Sequence, residues 1–121
     1  MYTVDLQDCI DKMDLECLTP DIATDGIEIS SPDINRPALQ LAGFFDYFDH
    51  HRVQIIGHVE NTYMEKQGLE YSVEMMGRIM SYKVPCIVYC RDMAVPDAIL
   101  EVADKAGVPI LRTKQTTSSF S

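Results

Sequence analysis

Three short apolar runs from Val53 onward restrict the fold of this chain more than any other feature. They are Val53-Gln54-Ile55-Ile56-Gly57, Pro85-Cys86-Ile87-Val88-Tyr89-Cys90 and Pro109-Ile110-Leu111-Arg112-Thr113. A strand with one wet face alternates apolar and polar residues, whereas a nearly continuous apolar run marks burial on both faces. Helical segments separate the runs. One begins at a cap on Asn61 or Thr62, is interrupted at Gly68 and continues to Tyr82. Another opens at Pro96, turns Ile99, Leu100, Ala103 and Ala106 inward, and stops at Gly107. Strand–helix–strand–helix–strand order predicts parallel pairing through right-handed crossovers. The fold class is therefore α/β, a mainly parallel sheet flanked by helices.

The first half predicts shorter elements. Thr3 is placed to cap a helix running to about Met13, because Leu6, Cys9, Ile10 and Met13 recur at helical spacing. Leu15 to Leu18 reads as a short strand closed by Pro20. Thr24-Asp25-Gly26 reads as a turn, and Ile27 and Ile29 as the inward positions of another strand. Arg36-Pro37 starts a short helix ending near Gly43. The helix from Leu69 to Tyr82 carries two apolar stripes, Leu69/Val73/Met76/Met80 and Tyr71/Met75/Ile79/Tyr82. Covering a sheet takes only one such stripe. The second is expected to meet another domain or subunit.

A chain of 121 residues, 46% hydrophobic, fits one globular domain. Its net charge of -9 and ten scattered basic residues argue against a nucleic-acid surface, which needs clustered Lys and Arg. No apolar run approaches the ~20 residues of a membrane helix. Met1-Tyr2-Thr3-Val4-Asp5 has neither the basic nor the apolar region of a signal peptide, so the expected location is the cytoplasm. Cys86 and Cys90 on one strand would stand ~13 Å apart, against the roughly 4.4–6.8 Å that a disulfide spans. Reduced thiols are expected.

Ligands of an open parallel sheet sit beyond the carboxyl ends of its strands. Arg112, Thr113, Thr116 and Thr117 have the charge and hydroxyls to hold an anion near a helix N-terminus. The alternative is that the hydroxyls of Thr116-Thr117-Ser118-Ser119 cap a following helix and Arg112 is solvated. Arg36 offers a planar fork for phosphate or carboxylate, and Asn35 can read a polar edge or close a turn; tying down their own loop is the structural reading of both. Phe44, Phe45, Tyr47 and Phe48 either anchor that loop to the core or stack on a ligand. His58 and Glu60 make an acid–base pair only if a strand continues through them. His50 and His51 diverge, and no CxxC, HxxxH or HExxH spacing predicts zinc. No Gly-rich phosphate loop and no GxSxG elbow occurs. No catalytic residue, metal or cofactor is assigned to this chain.

Several segments, in order, resemble the N-terminal domain of bacterial HPr kinase/phosphorylase. These are Thr3 to Ile10, Leu18-Thr19-Pro20, Asn35-Arg36-Pro37 through Leu39-Gln40-Leu41-Ala42-Gly43 with the aromatics to Phe48, and Val53 to Gly57 with Glu60. Tyr82 to Val88 and Pro109 to Thr113 with Thr117-Ser118 complete the series. The resemblance covers essentially the whole chain. It implies a cytoplasmic, homohexameric regulator of sugar uptake and catabolite repression. Such an enzyme phosphorylates a serine of the phosphocarrier HPr with ATP and magnesium, and removes that phosphate. Its chemistry would lie in a C-terminal kinase domain absent from residues 1–121, so no catalytic role carries over. The family's N-terminal domain is similar in fold to the uridine-nucleotide-binding domain of Mur ligases.

Two functions follow as expectations. One is a non-catalytic accessory domain that serves assembly or ligand sensing for the linked kinase domain. The other is a stand-alone small-molecule or nucleotide-binding regulatory module using Asn35, Arg36, Thr113 and Thr117.

Overall fold

A computed structural model describes residues 3–116 of the chain. The elements in order are β1 (Val4–Asp5), α1 (Leu6–Met13), β2 (Glu16–Cys17), β3 (Glu28–Ile29), β4 (Ile34–Asn35), α2 (Ala38–Leu41), β5 (Val53–Ile56), α3 (His58–Gln67), α4 (Leu69–Ser81), β6 (Ile87–Tyr89), α5 (Asp97–Ala106) and β7 (Ile110–Arg112). A five-stranded sheet has the order β2-β7-β6-β5-β4. β4, β5, β6 and β7 run parallel and β2 closes the other edge antiparallel to β7. β1 and β3 form a separate antiparallel ribbon.

The continuous apolar runs do bury both faces. Ile56, Ile87, Tyr89 and Ile110 point into a core built with α2, α3, α4 and α5. Their neighbours Ile55, Cys86, Val88 and Leu111 point the other way, into a smaller core with Leu6 and Ile10 of α1. Four helices cover one face; a single helix of 8 residues and the ribbon cover the other.

The structure corrects three expectations. Thr3 does not cap α1. Val4 and Asp5 pair with β3, and Asp5 is the cap, its Oδ1 accepting from the Gln7 N–H at 2.9 Å while Oδ2 accepts from the Gly26 N–H at 2.9 Å. Neither Asn61 nor Thr62 caps α3, which begins at His58 after Gly57. Glu60 reaches back from the first turn to accept the Gly57 N–H at 2.9 Å, doing from inside the helix what a side chain before it usually does. Third, the second stripe of α4 is covered by the chain itself except at Tyr82, which stays 40% exposed. Met75 and Ile79 are buried, the Tyr71 hydroxyl donates to the Leu41 carbonyl at 2.6 Å, and Tyr82 stacks on Phe45. The helix has two apolar sides because it packs against α2 and α3 as well as α5.

Ile34 and Asn35 add a strand that the sequence reading folded into the loop before α2. α2 ends in a Schellman motif: the Gly43 N–H reaches Gln40 O at 2.9 Å and the Phe44 N–H reaches Leu39 O at 2.9 Å, with Gly43 at φ 100°. That geometry explains the glycine followed by an aromatic. No disulfide joins any two of Cys9, Cys17, Cys86 and Cys90, and burial pushes the Cys86 thiol up to about 12.

Candidate functional site

The carboxyl ends of β4, β5, β6 and β7 share one side of the sheet. At the β4 end, Arg36 closes on Glu60 with two parallel hydrogen bonds, Nε to Oε2 at 2.8 Å and Nη2 to Oε1 at 2.7 Å. The Glu60 side chain is 2% exposed and that of Arg36 42%. The hydrogen bond to this carboxylate is the main reason that the Arg36 pKa lies above its ordinary value. Asn35 donates from Nδ2 to Gln54 Oε1 at 2.7 Å. Gln54, fully buried, donates to the Asp49 carbonyl at 3.1 Å and the Arg52 carbonyl at 2.8 Å. Both polar residues that open the Asn35-Arg36-Pro37 step are thus joined to β5 and to the start of α3.

Glu60 was the partner that sequence reasoning missed. Its signal was the spacing Gly57 to Glu60, which places a carboxylate at the third position of a helix that opens on a glycine. His58 and Glu60 do not converge, since both lie in the first turn of α3, His58 exposed and Glu60 buried.

At the β7 end, Arg112 binds Glu16 through Nε at 3.1 Å and Nη2 at 2.9 Å, donates from Nη1 to the Met93 carbonyl at 3.2 Å, and lies 3.3 Å from Asp92 Oδ1. Thr113 is buried, and its hydroxyl accepts from the Gln115 N–H at 3.2 Å. Arg91 and Asp92 both adopt the left-handed region, at φ 58° and 55°. Their amides are held by the Gln115 and Thr113 carbonyls at 2.9 and 2.8 Å. Non-glycine residues in that region need such support from their surroundings. A depression of about 200 Å³ here is bordered by Asp14, Glu16, Asp92, Arg112 and Lys114. Three carboxylates face two cations, which disfavours an anion.

The two groups of candidate residues are not brought together. β5 and β6 lie between β4 and β7, a separation of about 14 Å at the usual strand spacing. Thr116 lies just beyond β7 and is partly buried; Thr117 falls outside the described residues. Among the aromatics, Phe48 is buried, and Phe45 stacks on Tyr82 with ring centroids 5.4 Å apart and carries the Arg78 guanidinium 4.4 Å over its own. These two anchor the loop. Phe44 is 49% and Tyr47 98% exposed, Tyr47 at φ 58°. Among the described residues no group of three or more His, Cys, Asp or Glu is placed to hold a metal ion, and no helix is long and apolar enough to cross a membrane.

Residues 4–121 match the family model described as the HPr serine kinase N terminus. The HPr kinase/phosphorylase of Lachnoclostridium phytofermentans is 55% identical over 120 residues, which cover 99% of this chain and 39% of that protein. The HPr kinase/phosphorylase of Alkaliphilus metalliredigens is 39% identical, with 99% of this chain and 38% of the relative covered. The chain thus spans about two-fifths of the length of these relatives. Among solved structures, the CBS and DRTGG domains of the regulatory region of Clostridium perfringens pyrophosphatase, complexed with the activator diadenosine tetraphosphate, match with a TM-score of 0.64. That alignment has 14% identity and covers 95% of this chain and 43% of the other. It is a likeness of fold, and it agrees with the α/β class read from the three apolar runs.

Proposed function

The chain belongs to the family of HPr serine kinase N-terminal domains, and on that premise we propose that it is the non-catalytic accessory domain of an HPr kinase/phosphorylase. Its role is to position the linked kinase domain within an oligomer, a homohexamer in the cytoplasm. The kinase domain would supply the ATP and magnesium chemistry on HPr. The observation that carries the reading is a set of exposed apolar side chains on α2 and the loop that follows it. Leu39 at 62%, Phe44 at 49% and Tyr47 at 98% exposure lie in one short stretch, while Phe45 and Phe48 between them fix it to the core. Large apolar side chains held out to water on a firmly anchored loop suit contact with protein.

The rival reading, a nucleotide-binding or small-molecule module at the strand ends, finds less support. Arg36 and Arg112, the cations that it needs, are both already paired with carboxylates.

The test is a chimera that carries this chain ahead of the remaining length of the Lachnoclostridium phytofermentans relative. Leu39→Ser, Phe44→Ser and Tyr47→Ser together should lower its mass by light scattering and reduce HPr phosphorylation. The isolated chain should keep its stability. An unchanged oligomer and unchanged activity would remove the assembly role.

A further inference from the structure

The sheet face beneath α1 is under-covered. One helix of 8 residues and the two-residue strands β1 and β3 must shield what four helices shield on the opposite face. The deficit shows as a half-open cleft of about 180 Å³ between α1 and the loop before β4. Cys9 and Met13 of α1 form one wall, Ile34 and Val53 the other, and Cys86 and Val88 the base. Ser31, Pro32 and Asp33 stand at the mouth. We infer that this cleft is a binding site for a small, uncharged aromatic molecule of one or two rings.

Three observations define the ligand. The volume of about 180 Å³ suits one ring or two fused rings; an apolar cavity of about 150 Å³ takes up benzene. The walls carry three sulfur atoms, those of Cys9, Met13 and Cys86, and sulfur contacts to ring edges are favourable. The lining offers an anion no cationic side chain. Asp33, at the opening, is the one charged side chain among the lining residues, and its carboxylate lies 3.9 Å from Arg52. An aromatic carboxylate of the same size would lose its hydration in the cleft without gaining an ion pair there. The inference does not depend on the accessory-domain reading, since it uses neither the Leu39–Tyr47 loop nor the strand ends.

Cys9 reports occupancy directly, because its half-buried thiol forms part of the wall, while Cys17 lies outside the cleft and serves as the internal control. The experiment titrates the chain with indole and with benzoate. It follows alkylation of each cysteine by peptide mass spectrometry, together with the melting temperature. At tenfold over its Kd, indole leaves about a tenth of the sites open, so Cys9 alkylation should slow about tenfold. Cys17 should be unaffected and the melting temperature should rise. Benzoate should do neither. Cys9→Phe fills the cleft and should abolish the indole-dependent rise. If that variant does not fold, Met13→Phe at the more exposed wall position should do the same. Equal protection of Cys9 and Cys17, an equal response to benzoate, or no response to indole overturns the inference.

Discussion

Arg36 and Glu60 are joined through Nε and Nη2 of the guanidinium, at 2.8 and 2.7 Å, although 24 residues separate them in sequence. The same carboxylate accepts the Gly57 N–H, so one buried side chain fastens the end of β4 to the first turn of α3. Arg36 and Glu60 read as separate chemical candidates in the sequence. In the fold they neutralise each other.

Breaking that pair leaves a carboxylate buried at 2% exposure with only an amide for company. Because Arg36 is partly exposed, water can relieve some of the cost. Arg36→Ala should destabilise the chain by about 2 kcal/mol. Glu60→Gln, whose amide oxygen can still accept from Gly57, should cost less. Urea denaturation with an unchanged m-value measures both. An Arg36→Ala chain as stable as the parent would mean that the guanidinium is held for another purpose.

Two glycines should respond to alanine with opposite sign. Gly43 sits at φ 100° as the turn residue after α2, and although nothing lies within 4 Å of an added Cβ, the backbone itself is strained for any L side chain. Gly43→Ala should cost about 1 kcal/mol. Gly77 lies inside α4, where an added Cβ meets Val102 Cγ1 at 3.5 Å, an ordinary contact. Gly77→Ala should add about 0.5–1 kcal/mol through helix propensity. Thermal melts of the two variants should move in opposite directions from the parent.

Alkaline pH should weaken the fold through Cys86. Burial raises this thiol from 9.0 to about 12, so between those values the unfolded chain has released a proton that the folded chain still holds. Stability from this group is complete below about pH 9 and falls as pH rises, by about 1.4 kcal/mol per pH unit. Cys86→Ala lowers the overall stability by leaving a small void, and it should also flatten the slope between pH 9 and 11. Urea midpoints across that range separate the two effects.

The parallel core was legible because Val53–Gly57, Pro85–Cys90 and Pro109–Thr113 each supply side chains to both faces of the sheet. Period and length alone could say so. The stops at Gly68 and Gly107 were equally local. What stayed hidden depends on partners distant in sequence. β4 has two residues and exists only because β5 pairs with it. Asp5 displaced Thr3 as a cap because Gly26 offered a second amide. The second stripe of α4 suggested an outside partner, since no sequence pattern announces that α2 and α3 fold back over it. The strand-end residues suffered most. A guanidinium or hydroxyl suited to a ligand is equally suited to a carboxylate of its own chain, and Glu60, Glu16 and Asp92 took those places.

Tyr89 gives the sharpest test of the larger core. It ends β6 with no exposed surface, and its hydroxyl has no hydrogen-bond partner among the described residues. Burial accordingly pushes its ionisation well above the ordinary tyrosine value. An unpaired buried hydroxyl has lost its water without compensation. Tyr89→Phe keeps the ring and removes that cost, so stability should rise by about 1 kcal/mol. Tyr71→Phe is the contrasting case, because it deletes a 2.6 Å bond to the Leu41 carbonyl and should cost about 1 kcal/mol. Parallel urea titrations of the two variants decide the matter. A loss on Tyr89→Phe equal to that on Tyr71→Phe would show that the β6 hydroxyl holds a partner in solution.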